Sequence, residues 1–232
     1  MRSTSFPYLA LYAPMLVGLL LTGCIGNGLP APISDARTRP TALLFGMYVT
    51  PDGEHNPIDP PERFTGYHAG LDYEIRESEL RTDVPVYAIC DGSVLYSGFA
   101  EGYGGLLVQR CMIENEEVTV LYGHLAQEDM MPEGETPKAG EQLGILAAHR
   151  TLWSGWNRKH LHLGIHRGAD TDMRGYVESA EELEAFVNPA SVLPRSATGR
   201  PVSTHRVVGP TTRDEAIPEE RFDTSSTSSV SS

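Results

Sequence analysis

LLVQRCMIENEEVTVLYGHL, running from Leu106 to Leu125, holds two β-rich runs parted by a polar turn, and its reading decides the fold class. Leu106–Ile113 and Val118–Leu125 are rich in β-branched and aromatic residues, the composition of a pleated, half-buried surface. Glu114-Asn115-Glu116 supplies the turn. Outward from this pair, VPVYAI (Val84–Ile89) and SVLYS (Ser93–Ser97) flank Asp91-Gly92, and GYGG at Gly102–Gly105 marks another turn. QLGIL (Gln142–Leu146) and KHLHLGIH (Lys159–His166) add two more strands. VESAEELEAFV (Val177–Val187) is the one helical stretch, short and acidic. The expectation is an all-β, antiparallel sandwich or barrel-like domain with a short C-terminal helix.

The chain has 232 residues, room for one domain of ordinary size with tails. Its 18 Lys and Arg face 31 Asp and Glu, a net charge of −13 that repels phosphate backbones, so nucleic acid is excluded as a partner. Arg2 precedes an almost unbroken apolar run from Tyr8 to Leu21, the length of a signal-peptide core and short for a membrane span. The run ends in Leu21-Thr22-Gly23-Cys24, which resembles the lipobox of bacterial lipoproteins. That resemblance implies removal of residues 1–23 and lipidation of Cys24, an anchor to a membrane outside the cytoplasm. An uncleaved N-terminal anchor is the alternative, with the same topology. Residues 24–40, rich in Gly and Pro, read as a tether, and 41–194 as the domain. Residues 195–232, closing in a Ser/Thr run, read as a disordered tail whose five arginines balance five acids.

With Cys24 taken by lipid, Cys90 and Cys111 are left in an oxidising compartment at the ends of neighbouring strand-like runs, and a disulfide between them is expected. Two small buried hydrophobes are the other reading.

Histidines carry the chemistry. In a strand, His160 and His162 project to one face while Leu161, Leu163 and Ile165 face the other. Two imidazoles on one rigid face can reach a common point, and imidazole is a favoured zinc ligand. TGYHAGLDYE places His68 and Asp72 four apart between glycines, on a tight exposed path. A His, a carboxylate and one member of the His-x-His make three protein ligands, which leaves a zinc ion one open position. A surface His–Asp hydrogen bond is the competing reading of His68 and Asp72. His124 closes its strand in LYGHL.

In this order, these motifs resemble the M23 family of zinc metallopeptidases, the LytM or lysostaphin-type peptidases with the duplicated hybrid motif fold. The resemblance runs from Phe45-Gly46 to Val187–Pro189. It includes H-x-G-x-D at His68–Asp72, A-x-x-D-G-x-V at Ala88–Val94, a glycine-rich turn and strand at Gly102–Val108, Y-x-H-L at Tyr122–Leu125 and H-L-H at His160–His162. It implies Zn2+ held by His68, Asp72 and His162, with His124 and His160 as catalytic histidines that do not bind metal. It implies further a groove across one sheet, and an endopeptidase of the cell envelope that hydrolyses the peptide cross-bridges of peptidoglycan. Two segments depart from the family pattern. YEIRESELRTDVP lacks the glycine usual before the Pro-Val pair, and LAAHRTLWSGWNRK replaces the glycine-rich turn before H-L-H. The second is expected to line one wall of the groove, with Trp153 and Trp156 as candidate substrate contacts. His149 and His166 are expected to stay off the metal, since three protein ligands complete a catalytic site.

An idle module of the same fold, binding or regulating a wall hydrolase, is the alternative function. A cupin-like barrel also uses His-x-His, but it requires a glutamate where this chain has His166-Arg167-Gly168-Ala169.

Overall fold

The computed structural model describes residues 28–193, apart from 55, 57 and 60, together with Val207–Val208. The expected leader, Cys24 and nearly all of the expected tail lie outside the described residues. Among those described, no helix is long and apolar enough to cross a membrane.

The described residues form twelve strands: β1 (Tyr48–Val49), β2 (Ile58–Asp59), β3 (Gly66–His68), β4 (Gly70–Glu74), β5 (Pro85–Tyr87), β6 (Val94–Ala100), β7 (Gly104–Ile113), β8 (Glu116–Gly123), β9 (Gln142–Ile145), β10 (His160–Arg167), β11 (Tyr176–Val177) and β12 (Val207–Val208). A five-stranded antiparallel sheet in the order β4-β10-β8-β7-β6 forms the frame. Three smaller units, β1-β3-β11, β5-β9 and the parallel pair β12-β2, lie around it. The strand-dominated, antiparallel fold expected from the sequence is the one observed.

The β7–β8 hairpin turns through Glu114 and Asn115, at φ 52° and 68°. Two successive left-handed residues make the turn whose twist matches that of the flanking strands. Alternation then sorts the side chains. Leu71 and Tyr73 of β4, Leu161, Leu163 and Ile165 of β10, Val118, Val120 and Tyr122 of β8, and Leu107 and Cys111 of β7 share one core with Val86 of β5 and Leu143 of β9. Each such aliphatic side chain contributes about 1.5–3 kcal/mol on full burial. The opposite face of β4 and β10 carries Asp72, Glu74, His160 and His162, all buried.

Two expectations are corrected. The stretch 177–187 is not an α-helix: Val177 pairs with Tyr67 as part of β11, and only Glu182–Ala185 forms a 3-10 turn. Val177, Phe186 and Leu183 pack with Ala69 in a small satellite cluster, and burying both ends of the stretch there outweighs the helix preference of its acidic middle. Among the described residues the one α-helical turn is Pro189–Val192, started by Asn188, whose side chain accepts from the Ala190 amide. Nor is the stretch expected as a tether free of the domain throughout. Ile33 is fully buried in the main core, and the Tyr87 amide donates to Pro32. Arg39 is also buried, and its guanidinium makes a two-pronged pair with Glu79 at 2.6 and 2.7 Å. Apolar residues spaced among prolines gave no periodicity to reveal this docking.

The Cys90 and Cys111 sulfurs lie within bonding distance, with Cα atoms 6.0 Å apart, inside the range of about 4.4–6.8 Å typical of disulfides. The unreduced protein is therefore expected to show no free thiol at these positions by mass spectrometry. The double Cys→Ala variant should lose about 3 kcal/mol of unfolding free energy, the order expected for a loop of this length.

The hydrogen bonds from Arg39, with one from the Arg76 amide, pull the Glu79 carboxyl down to about 2. A carboxyl lowered on folding stabilises above its unfolded value, about 4.3, and loses that contribution as pH falls through about 2. Glu79→Gln leaves a buried guanidinium poorly paired and should cost about 3 kcal/mol at neutral pH. Urea titrations at several pH values should show the gap between parent and variant closing as the parent is acidified across that window.

Candidate metal centre

Three chain segments converge on the polar face of the sheet. His68 ends β3, and the chain passes through Ala69 into β4, changing sheets; the His68 amide donates to Met47 and the Ala69 amide to Gly175. Asp72 lies mid-β4, opposite His162 of β10 in the ladder, and Gly123 flanks His162 on the β8 side. This register brings the His68 Nε2, His162 Nδ1 and Asp72 Oδ1 atoms together. His68 Nε2 lies 3.0 Å from His162 Nδ1 and 3.1 Å from Asp72 Oδ1, and the last two atoms are 3.0 Å apart. All three residues are buried.

Small residues make the convergence possible. A Cβ on Gly70 would stand 2.6 Å from the His162 ring, and one on Gly123 would stand 2.6 Å from Tyr103. A side chain at Gly70 would drive the imidazole off its position, and one at Gly123 would displace the Tyr103 ring.

Two more histidines border the cluster. His124 follows β8 at φ 67°, a left-handed conformation that costs a non-glycine residue about 1–2 kcal/mol. The turn carries its ring back over the sheet, 4.3 Å from that of His160. His124 Nδ1–H donates to the Tyr103 carbonyl at 2.7 Å, and His160 Nδ1–H donates to the Arg158 carbonyl at 2.9 Å. His160 Nε2 lies 3.3 Å from Asp72 Oδ2. A cavity of about 250 Å³ opens over the group, bordered by Phe64, Tyr103, Met173 and Tyr176 along with Asp72, His124, His160 and His162.

The electrostatics follow from burial and charge. Burial by itself raises the Asp72 carboxyl, yet the His68 and His160 imidazoles overcome it and hold Asp72 well below the usual carboxylate range. Burial, reinforced by His68, pushes His162 down to about 4, and burial beside His160 and His162 pushes His124 well down. A neutral His162 imidazole and an ionised Asp72 carboxylate are the protonation states a metal requires of such ligands.

The donor set also fits a metal by its dimensions. Zinc bonds of about 2.0–2.1 Å in a tetrahedral arrangement put neighbouring ligand atoms roughly 3.3 Å apart, close to the observed 3.0–3.1 Å. Asp72 further shares the Arg158 guanidinium with Glu62 and Glu74. Three buried carboxylates around one guanidinium leave an excess of negative charge that a dication would offset.

Residues 66–173 match the family model described as Peptidase family M23. Over these residues the chain is similar to that peptidase family. No curated protein matches it. Among solved structures, it is similar to Helicobacter pylori Csd3, at 20% identity over 72% of this chain and 33% of that one, TM-score 0.42. It is similar to a zinc-containing peptidase from Vibrio cholerae at 20% identity, covering 62% of this chain and 40% of that one, TM-score 0.42. It is similar also to LytU at 20% identity, covering 68% of this chain and 92% of that one, TM-score 0.43. The chain thus spans about a third of the Csd3 chain.

The fold brings together all five residues singled out in the sequence: His68, Asp72, His162, His124 and His160. His166 lies apart, facing Asp172 at 3.6 Å, and His149 is outside the cluster too. His55 and His205 fall outside the described residues. Of the 147–159 segment, Asn157 borders the cavity. Trp153 packs edge-on against Phe99, and Trp156 is exposed elsewhere, so neither tryptophan borders the metal centre. Sequence reasoning missed Tyr103, whose hydroxyl lies 3.5 Å from His162 Nε2, and Arg158, which grips Asp72 Oδ2 at 2.8 Å. The sequence signal for Arg158 was a pair of charges, Arg158-Lys159, running straight into an apolar strand; Tyr103 carried none beyond its glycine-rich turn.

Gly70→Ala should force a methyl into the His162 ring and cost about 1–3 kcal/mol, read as a lower urea midpoint at unchanged slope. A variant as stable as the parent would show that β4 yields without disturbing His162.

Proposed function

We propose that this M23 domain is a zinc-dependent endopeptidase of the bacterial cell envelope that hydrolyses peptide cross-bridges of peptidoglycan. The observation that carries the reading is the triangle of His68 Nε2, Asp72 Oδ1 and His162 Nδ1, each about 3 Å from the others at the floor of an open cavity. A zinc ion held there would polarise a substrate carbonyl and lower the pKa of water toward about 7.

The surrounding residues would do the rest. His124 and His160 each commit Nδ1 to a backbone carbonyl, which fixes ring orientation and leaves Nε2 as the working nitrogen. Through Nε2, one can take the proton of the attacking water while the other donates to the carbonyl oxygen as negative charge builds on it. Such acid–base help is worth about 10²–10⁴-fold. Phe64, Tyr103 and Tyr176 give the cavity apolar walls that exclude bulk water. In this reading the domain hangs from a membrane by lipid on Cys24, within reach of the wall.

The test is zinc per chain, measured in the full chain purified in detergent, beside His68→Ala and His162→Ala. One zinc in the parent and none in either variant, with cross-linked muropeptides released by the parent alone, is the expected result. His124→Ala and His160→Ala should keep zinc and lose at least about 10²-fold in release. A folded parent that takes up no zinc would overturn the enzyme reading and favour the idle module.

A further inference from the structure

Among the described residues, Arg158 is the one largely buried cation in contact with the metal-binding triad, and it comes from the segment that departs from the family pattern. Its NH2 nitrogen donates to Asp72 Oδ2 at 2.8 Å and to Glu74 Oε1 at 2.7 Å, and its Nε donates to Glu74 at 2.9 and 3.0 Å. Its NH1 nitrogen pairs with Glu62. The side chain is only 13% exposed, and those of Asp72, Glu74 and Glu62 are 2%, 5% and 3% exposed. Little solvent reaches these bonds.

The two oxygens of Asp72 have thereby been divided. Oδ1 faces His68 and His162, while Oδ2 is turned to the guanidinium, with His160 Nε2 alongside. A carboxylate with both oxygens free can grip a cation through either or both. One whose second oxygen accepts a charge-assisted hydrogen bond from a fixed fork has a single oxygen to offer. The fork is itself fixed, since Glu74 sits two residues along the same strand and Glu62 holds the far nitrogen. Arg63, next to Glu62, also bonds the Gly155 carbonyl, so the 60s loop and the 150s segment are stitched together beside the metal centre.

We propose that Arg158 is a positioning residue that restricts Asp72 to one-oxygen ligation and so keeps a coordination position open for water and substrate. The inference rests on the zinc reading above. Residues that orient ligands in this way typically contribute about 10–100-fold to metal affinity. Arg158 touches neither substrate nor metal and acts through Asp72.

The experiment uses the full chain with two changes that remove the fork by different routes. Arg158→Lys keeps a positive charge without the planar geometry. Arg158→Gln/Glu74→Gln removes one charge of each sign and guards against misfolding from unbalanced carboxylates. Zinc affinity is measured by chelator competition, and the Co2+-loaded proteins are examined by visible absorption, which is intense for four-coordinate and weak for five-coordinate cobalt. Near-ultraviolet circular dichroism of the metal-free proteins reports the fold. The expected result is a native fold, a zinc affinity lowered about 10–100-fold, and a weakened cobalt spectrum in whichever variants fold. Folded variants that hold zinc within about twofold of the parent and reproduce its cobalt spectrum overturn the inference while leaving the zinc reading intact. A parent that binds neither metal overturns both.

Discussion

Strand β10 lies between β4 and β8, and its strict alternation is the constraint on which the rest of the molecule depends. Leu161, Leu163 and Ile165 enter the main core while His160 and His162 take the other face. Because side chains repeat every two residues, a slip of one position would send the imidazoles into an apolar core and expose the leucines. The hydrophobic effect therefore sets the register, and the register sets the chemistry: pairing His162 with Asp72 brings two ligand atoms to 3.0 Å. His68 joins them only because the chain changes sheets at Ala69, which aims the last residue of β3 across the first residues of β4.

The cluster is held at a cost that the core meets elsewhere. Asp72, Glu74, Glu62, Arg158 and four histidines are all inaccessible or nearly so, and burying so many ionisable groups is unfavourable unless each is paired. Each pairing has a source in the fold. Backbone carbonyls of Tyr103 and Arg158 satisfy the Nδ1 atoms of His124 and His160. The guanidinium of Arg158 satisfies three carboxylates at once. The polar face of the sheet is thus a preorganised layer, rigid because the sheet beneath it is packed.

The same logic accounts for the N-terminal stretch. Ile33 fills the core against Val86, and Arg39 is buried against Glu79 and the Glu74 carbonyl at the end of β4. That segment closes the edge of the sheet beside β4, whose Asp72 and Glu74 amides donate to Leu43 and Pro40. An open edge next to the candidate metal centre would leave those amides unpaired.

Most of the architecture was legible in the chain alone. The six longer runs read as strands lie where strands form, and alternation in KHLHLGIH showed which residues face the core. The family resemblance carried by the H-x-G-x-D and H-L-H motifs named the residues that converge, where their spacing alone left a surface His–Asp hydrogen bond open. The acidic 177–187 stretch misled, since its end residues are claimed by contacts with Ala69 that lie far away in sequence. The docking of Ile33 and Arg39 and the grip of Arg158 on Asp72 were equally hidden. These depend on partners 35 to 86 residues distant, brought near by strand pairing. Local sequence determined the strands, their faces and the ligand types; the tertiary structure alone decided which buried charge meets which, because pairing across a sheet obeys the register of the whole core.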